Sequence, residues 1–158
     1  MLSELKIPTY ITATDMVKGK LKIFSPETKI VDAVLASTAV PGMISPYIIK
    51  EKLYSDGGIL NHFPADLLLG KCDFIIGVYV SPVQNIEAKN LNSIKSVTYR
   101  AVELLTANSN LHKFNYCDLI IEPKDLCNFS TFETNKTKMD LIFETGYNEA
   151  KKAYQNLV

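Results

Sequence analysis

The chain has 158 residues, of which 47% are apolar and 22% are charged. These values are typical of one globular domain with a sizeable core, so we expect a single domain over residues 1–158. Basic and acidic residues number 17 each, which gives a formal net charge of zero. Because nucleic-acid-binding domains usually carry a basic excess or a basic stripe, nucleic acid is not expected as a partner.

The cysteine pattern and the lengths of the apolar runs indicate in which cellular compartment the protein is expected. Cys72, Cys117 and Cys127 are odd in number and form no Cys-x-x-Cys pair, which favours reduced thiols over a disulfide framework or a zinc site. No signal-peptide pattern and no apolar run of 18 residues stands in the sequence. We therefore expect a cytoplasmic protein without a transmembrane segment and without a metal site.

The first half of the chain is predicted to contain strands around one helix. β-Branched and aromatic residues predict strands from Thr9 to Thr14 and from Lys20 to Phe24, joined by a turn that Gly19 supplies. Apolar residues at helical spacing then predict a helix from about Lys29 to Val40. A short strand from Leu53 to Asp56 follows.

The second half alternates strands with helices. The unbroken apolar run from Phe74 to Val80 predicts a strand covered on both faces, as in a parallel sheet. An amphipathic helix is predicted from Ser93 to Asn108, a strand from Asp118 to Glu122, and a helix from about Lys138 to Asn156. This alternation predicts the α/β fold class.

The segment Tyr54-Ser55-Asp56-Gly57-Gly58 is the most informative pattern in the chain. Asp-Gly is a common turn pair in β-hairpins, so a plain hairpin is one interpretation. The neighbouring residues favour another, because a helix end rich in small residues precedes the segment and an Asn and a Pro follow it. They are Ala33, Ala36-Ser37, Ala39, Pro41-Gly42 and Pro46 before the segment, and Asn61 and Pro64 after it.

Together with Ile7-Pro8 and Ala13-Thr14-Asp15…Gly19, these residues resemble the patatin-like phospholipases of bacterial type over residues 7–64. In that family the catalytic aspartate lies in an Asp-Gly-Gly or Asp-Gly-Ala tripeptide. The resemblance implies a three-layer α/β/α sheet with helices on both faces, of which this chain is the C-terminal portion with the N-terminal part missing. It also implies ester hydrolysis by a Ser-Asp dyad on phospholipids, lysophospholipids or other fatty acyl esters, with no cofactor.

By this resemblance Asp56 is the catalytic base, and Gly57 and Gly58 form the turn that presents it at the tip of a strand. We expect its side chain to face a partly open cleft. The nucleophile of the family lies in a Gly-x-Ser-x-Gly elbow, which is absent from the 158 residues, as is the Gly-rich oxyanion loop. No residue of this chain is therefore assigned as the nucleophile, and the chain alone is expected to be inactive.

Four other residues could take part in chemistry, and each has a simpler structural interpretation. A Ser-His-Asp arrangement would need a serine at elbow spacing, so His62 and His112 are expected to be exposed or satisfied within the core. Asp15 is expected to be a turn residue at a strand end. Ser55 is expected to point to the face of its strand opposite to Asp56.

A second interpretation is a catalytically inert remnant that serves as a protein-interaction or scaffold module. A sheet that lacks part of its strands exposes edges and apolar faces, which must be covered to prevent aggregation. We therefore expect either a homo-oligomer or a separate chain that supplies the missing half. Turnover of a fatty acyl ester distinguishes the two interpretations.

Overall fold

A computed structural model describes residues 1–80, 83, 85–108, 111–130 and 133–157 of the chain. The chain divides into two compact units, Met1–His62 and Phe63–Val158, which are described in turn. Each unit has its own sheet and its own apolar core. The single domain expected over residues 1–158 stays a prediction.

The first unit is built on a four-stranded antiparallel sheet with the strand order β2-β1-β4-β3. Its strands are β1 (Thr12–Asp15), β2 (Lys20–Ile23), β3 (Tyr47–Ile49) and β4 (Lys52–Asp56). The central strands β1 and β4 pair in a register that puts Ala13 opposite Asp56. The end of β4 is thereby held against the beginning of β1.

The turn between β1 and β2 forms as its sequence predicts. The Asp15 carboxylate accepts hydrogen bonds from the backbone N–H groups of Val17 and Lys18, at 3.1 and 2.9 Å. Gly19 has a φ of 60°, a left-handed conformation that glycine adopts without steric cost. Asp15 is thus a turn residue at the end of a strand, as expected.

Strand β3 is an element that the sequence pattern does not predict. It joins β4 through a two-residue turn in which Lys50 and Glu51 have φ values of 47° and 65°. Two-residue hairpins of this kind need a positive φ at both turn positions, which Gly, Asn or Asp usually provides. Because none of these residues stands here, the turn carries no sequence signal.

Helix α1 (Ile30–Ser37) packs on this sheet through small side chains. Ala33 and Ala36 are fully buried and belong to the core of the unit. Phe24 and Tyr54 belong to the same core, and their rings meet edge to face with centroids 5.6 Å apart. Ile30 of the same helix packs against this core from a partly buried position, and alanine at the two fully buried positions lets the helix approach the sheet closely there.

The end of α1 differs from the prediction. The sequence predicts a helix to about Val40, where Pro41 would stop it, but the helix ends at Ser37. The N–H of Val40 donates to the carbonyl of Thr38 at 2.9 Å, whereas a continuing helix would pair it with the carbonyl of Ala36. The backbone therefore leaves the helical pattern before Pro41.

The second unit contains a two-stranded parallel sheet and two helices. Its elements are β5 (Ile76–Val78), α2 (Ile94–Asn108), β6 (Leu119–Ile121) and α3 (Lys136–Gln155). Strand β5 is shorter than the predicted run from Phe74 to Val80, because only three of its residues pair with β6. Ser81 and Pro82, which follow this run in the sequence, lie outside the described residues.

The core of the second unit is aromatic. The rings of Phe63 and Tyr79 both pack edge to face against Phe114, with centroids 4.9 and 5.2 Å from it. Gly77 lies against this cluster, and a methyl group added to it would lie 2.5 Å from the Phe63 ring and 2.8 Å from the Cys117 sulfur. Burial raises the pKa of the Cys117 thiol, with a further contribution from Asp118, so the thiol is protonated at neutral pH.

Helix α3 begins at Lys136, two residues before the predicted position. Asn135 caps the helix, because its side-chain oxygen accepts a hydrogen bond from the backbone N–H of Lys138 at 3.1 Å. Helices and strands together confirm the predicted α/β fold class. Within the ranges that the structure describes, no helix is long and apolar enough to cross a membrane.

Candidate active site

Asp56 is the last residue of β4, and three hydrogen bonds fix its backbone and side chain. Its N–H donates to the carbonyl of Ala39 at 3.0 Å. Its carbonyl accepts from the Thr14 hydroxyl on β1 at 2.8 Å. The third bond runs from the backbone N–H of Gly58 to Oδ1 and holds its side chain. The position of Asp56 is therefore set by contacts with both the neighbouring strand and the segment that follows α1.

Ser55 confirms the expectation that it points away from the Asp56 side chain. It is 1% exposed, and its hydroxyl donates to the carbonyl of Ala39, which also accepts the N–H of Asp56. The Ser55 hydroxyl is thus buried and committed to a structural hydrogen bond. Among the described residues it has no contact that would make it a nucleophile.

The Asp56 carboxylate is half-buried and its two oxygens differ. Oδ1 accepts a hydrogen bond from the backbone N–H of Gly58 at 2.6 Å. Oδ2 accepts no hydrogen bond from any residue in the described part of the chain. A carboxylate held through one oxygen in this way keeps the other available to accept a proton. The partly open cleft expected beside it stays a prediction.

The two glycines after Asp56 differ in what a side chain would meet: at Gly57 the obstacle includes the Thr12 backbone, whereas at Gly58 it is the ends of two side chains. A methyl group on Gly57 would lie 2.5 Å from the Thr12 hydroxyl and 2.8 Å from the Thr12 carbonyl oxygen. A methyl group on Gly58 would lie 2.9 Å from Asp56 Oδ1 and also 2.9 Å from His62 Nδ1. The chain continues from Asp56 as a 3-10 turn over Gly57–Ile59, so the plain hairpin interpretation is wrong.

The turn closes on itself through Asn61. The backbone N–H of Asn61 donates to the carbonyl of Gly57 at 2.9 Å, and the residue is 5% exposed. This bond brings the chain back toward the turn, so the following residue, His62, lies beside Gly58. Sequence reasoning missed this proximity, because nothing in the pattern of the residues signals that the chain returns here.

The second histidine lies in the other unit. His112 is exposed, and its ring meets that of Tyr116 edge to face at 6.2 Å. This agrees with the expectation that His112 is exposed or satisfied within the core. His62 is half-buried and lies next to the Asp56 turn, beside Gly58.

The side chain that precedes Ser55 in β4 carries no charge at neutral pH. Tyr54 is 4% exposed, and burial raises the pKa of its hydroxyl, with a smaller contribution from the Asp15 carboxylate. Among the described residues, no three His, Cys, Asp or Glu side chains come together as metal ligands would. The charged group that the strand end presents is the Asp56 carboxylate.

Comparisons with known proteins match the part of the chain that contains Asp56. Residues 6–69 match the family model described as "Patatin-like phospholipase". This segment is patatin-like. It contains Asp56, both glycines of the turn and His62, so the hydrogen bonds of the Asp56 turn lie within the matched residues.

Relatives among curated proteins are members of the NTE family from mycobacteria. An uncharacterized NTE family protein of Mycobacterium tuberculosis is 29% identical over 122 residues, which cover 71% of this chain and 34% of that protein. One of Mycobacterium bovis matches equally well. A further one of Mycobacterium tuberculosis is 25% identical over 170 residues, which cover 92% of this chain and 28% of that protein. The chain thus spans about a third of the length of these relatives.

Replacing Gly57 by alanine tests whether the turn needs glycine for space. We expect Gly57→Ala to lower the free energy of unfolding by about 1–3 kcal/mol, because the new methyl group meets the Thr12 backbone, which cannot move without disturbing β1. Urea denaturation followed by circular dichroism measures the change.

The matched control is Gly146→Ala in α3, where no atom lies within 4 Å of the added methyl group. The same chemical change should there stabilise the protein by about 0.5–1 kcal/mol, since alanine is the better helix former. Equal effects of the two substitutions would contradict the steric account of the Asp56 turn.

Proposed function

We propose that this chain carries the general-base half of a patatin-like acyl hydrolase, with Asp56 as the base. The observation that carries the proposal is the Asp56 carboxylate at the end of β4, anchored through Oδ1 and free of hydrogen bonds at Oδ2 among the described residues. Its place within the patatin-like segment supports the assignment. The substrates that this proposal implies are phospholipids, lysophospholipids or other fatty acyl esters.

The chemistry explains what such a carboxylate can do. The pKa of a serine hydroxyl is close to that of water, about 15.7, whereas that of an ordinary aspartate is about 3.9. Forming a free alkoxide beside a protonated aspartate would therefore cost roughly 16 kcal/mol. The base must instead accept the proton while the serine attacks the ester carbonyl, so its accepting oxygen has to be oriented beforehand.

The other parts of the reaction need groups that these 158 residues do not include. An acyl-enzyme requires a nucleophilic serine, and the charge on the tetrahedral intermediate requires oxyanion-hole donors. The Gly-x-Ser-x-Gly elbow is absent here, and the Ser55 hydroxyl is buried in a structural bond. We therefore propose that the serine and the donors come from sequence beyond these residues or from a separate chain.

The proposal predicts no hydrolysis by the 158-residue chain itself. Wild type and Asp56→Asn should hydrolyse p-nitrophenyl butyrate at the same background rate, because the nucleophile and the oxyanion donors are missing. Mass spectrometry after treatment with a fluorophosphonate should find no labelled serine. Activity that Asp56→Asn abolishes would contradict this prediction and would identify an unrecognised nucleophile in the chain.

The role of Asp56 itself is tested when a nucleophile is supplied. The DNA upstream is first searched for an in-frame Gly-x-Ser-x-Gly segment. A joined protein, in which that segment precedes these 158 residues, should hydrolyse the ester. In this protein Asp56→Asn should lower kcat by about 10²–10⁴-fold. Asp140→Asn, at an exposed position of α3, is the matched control and should leave kcat unchanged. Equal activity of the two variants would refute Asp56 as the base.

A second function, as an interaction module, is favoured by the surface of the second unit. Ile76 and Val78 of β5 are each 55% exposed, and β5 pairs with β6 alone among the described residues. A strand that leaves apolar side chains and one edge open is a template for pairing with another chain. We propose that a second copy of this chain, or a chain that supplies the missing half, covers β5. The free state of Cys72, Cys117 and Cys127 supports a cytoplasmic location for such an assembly.

Light scattering during size-exclusion chromatography tests the assembly. At micromolar concentration the chain should elute with a mass above the 17.6 kDa of a monomer. Val78→Lys should shift it toward the monomer, because a charge on an open edge opposes pairing. Val17→Lys, which changes an equally apolar side chain that is 78% exposed in the β1–β2 turn, should not. A wild-type monomer that unfolds cooperatively would refute the proposed covering of β5.

A further inference from the structure

Side-chain atoms of His62 and Asp56 both lie close to the position that a methyl group on Gly58 would take. The position that a methyl group on Gly58 would take is 2.9 Å from Asp56 Oδ1 and 2.9 Å from His62 Nδ1. The two polar atoms are therefore separated by no more than twice that distance. The missing side chain of Gly58 is what allows both groups to approach the same point.

The approach is fixed by the backbone on both sides. The N–H of Gly58 binds Asp56 Oδ1 at 2.6 Å, and the N–H of Asn61 binds the carbonyl of Gly57 at 2.9 Å. The first bond sets the carboxylate, and the second sets the place from which the His62 side chain starts. His62 is half-buried there, and its ring atoms Nδ1 and Cε1 lie 2.9 and 3.8 Å from the methyl position on Gly58.

We propose that His62 is a positioning residue that holds the orientation of the Asp56 carboxylate. The Gly58 N–H binds Oδ1, and Oδ1 is also the carboxylate oxygen nearer to the point that Nδ1 approaches, which leaves Oδ2 as the oxygen that accepts a proton. An imidazole suits this place because Nδ1 carries a proton in one neutral tautomer and in the charged form, and this N–H attracts a carboxylate. The meaning of this orientation for catalysis rests on the proposed role of Asp56 as general base.

The unmodified chain gives a first test by nuclear magnetic resonance. His62 Cε1 lies 3.8 Å from the methyl position on Gly58, which an α-hydrogen of Gly58 points toward. A nuclear Overhauser cross-peak between the His62 ring and this α-hydrogen is expected. Only two histidines occur in the chain, so His112→Leu assigns the His62 ring signals. Absence of the cross-peak in the folded chain would overturn the proposal.

Variants then separate positioning from packing. His62→Leu keeps apolar bulk without the polar edge, whereas His62→Asn places an amide atom where Nδ1 lies. We expect amide exchange at Gly58 to become about threefold or more faster in His62→Leu, with a shifted carboxyl ¹³C signal of Asp56, and both values to return toward wild type in His62→Asn. The control His112→Leu should change neither value.

The outcomes are decisive in each direction. Unchanged Gly58 exchange and an unchanged Asp56 carboxyl signal in folded His62→Leu would overturn the proposal. If His62→Leu does not fold, wild-type-like values in His62→Asn together with the ring cross-peak support it, and the absence of that cross-peak refutes it. None of these measurements requires hydrolysis. If Asp56→Asn left the activity of the joined protein unchanged, the proposed function would be refuted, but the positioning of Asp56 by His62 would not.

Discussion

One carbonyl group organises the candidate site. The Ala39 carbonyl accepts both the Ser55 hydroxyl and the Asp56 N–H, so the segment after α1 is tied to the last two residues of β4. Ala39 is fully buried, where an unmade hydrogen bond to a backbone group costs about 1–3 kcal/mol. The same constraint engages the buried Ser55 hydroxyl and fixes the point from which the Asp56 side chain leaves the strand.

The turn that follows Asp56 sets the orientation of its carboxylate. With the backbone of Asp56 fixed, the next residue must be a glycine, because the Thr12 backbone crowds it. At the second glycine, the Asp56 and His62 side chains both lie close to the position of a methyl group. The result is a half-buried carboxylate with one oxygen held and one available. Such a group is suited to accept a proton from a nucleophile, and this is the property on which the proposed hydrolase function depends.

The sequence predicts the features that depend on contacts between residues close to each other in the chain. The β1–β2 turn is predictable because Asp15 and Gly19 act within a few residues of each other, and the strand that ends in Asp56 is marked by the glycines after it. The sequence could not predict the turn at Lys50-Glu51, whose residues rarely adopt positive φ, nor the end of α1, where the Val40 N–H bonds to Thr38 and leaves the helical pattern. The place of His62 beside Asp56 also depends on how the chain returns after the turn, which no spacing encodes.

The measurement that tests the central claim most directly is native-state hydrogen exchange at the Asp56 amide. Its N–H donates to the carbonyl of Ala39 and not to a partner in the sheet ladder, whereas the N–H of Met16 donates to the carbonyl of Leu53 at the opposite end of the β1–β4 pairing. If the Ala39 carbonyl anchors the end of the strand, the Asp56 amide should exchange as slowly as that of Met16. An Asp56 amide that exchanges at the rate of an unprotected one, while Met16 stays protected, would contradict the account.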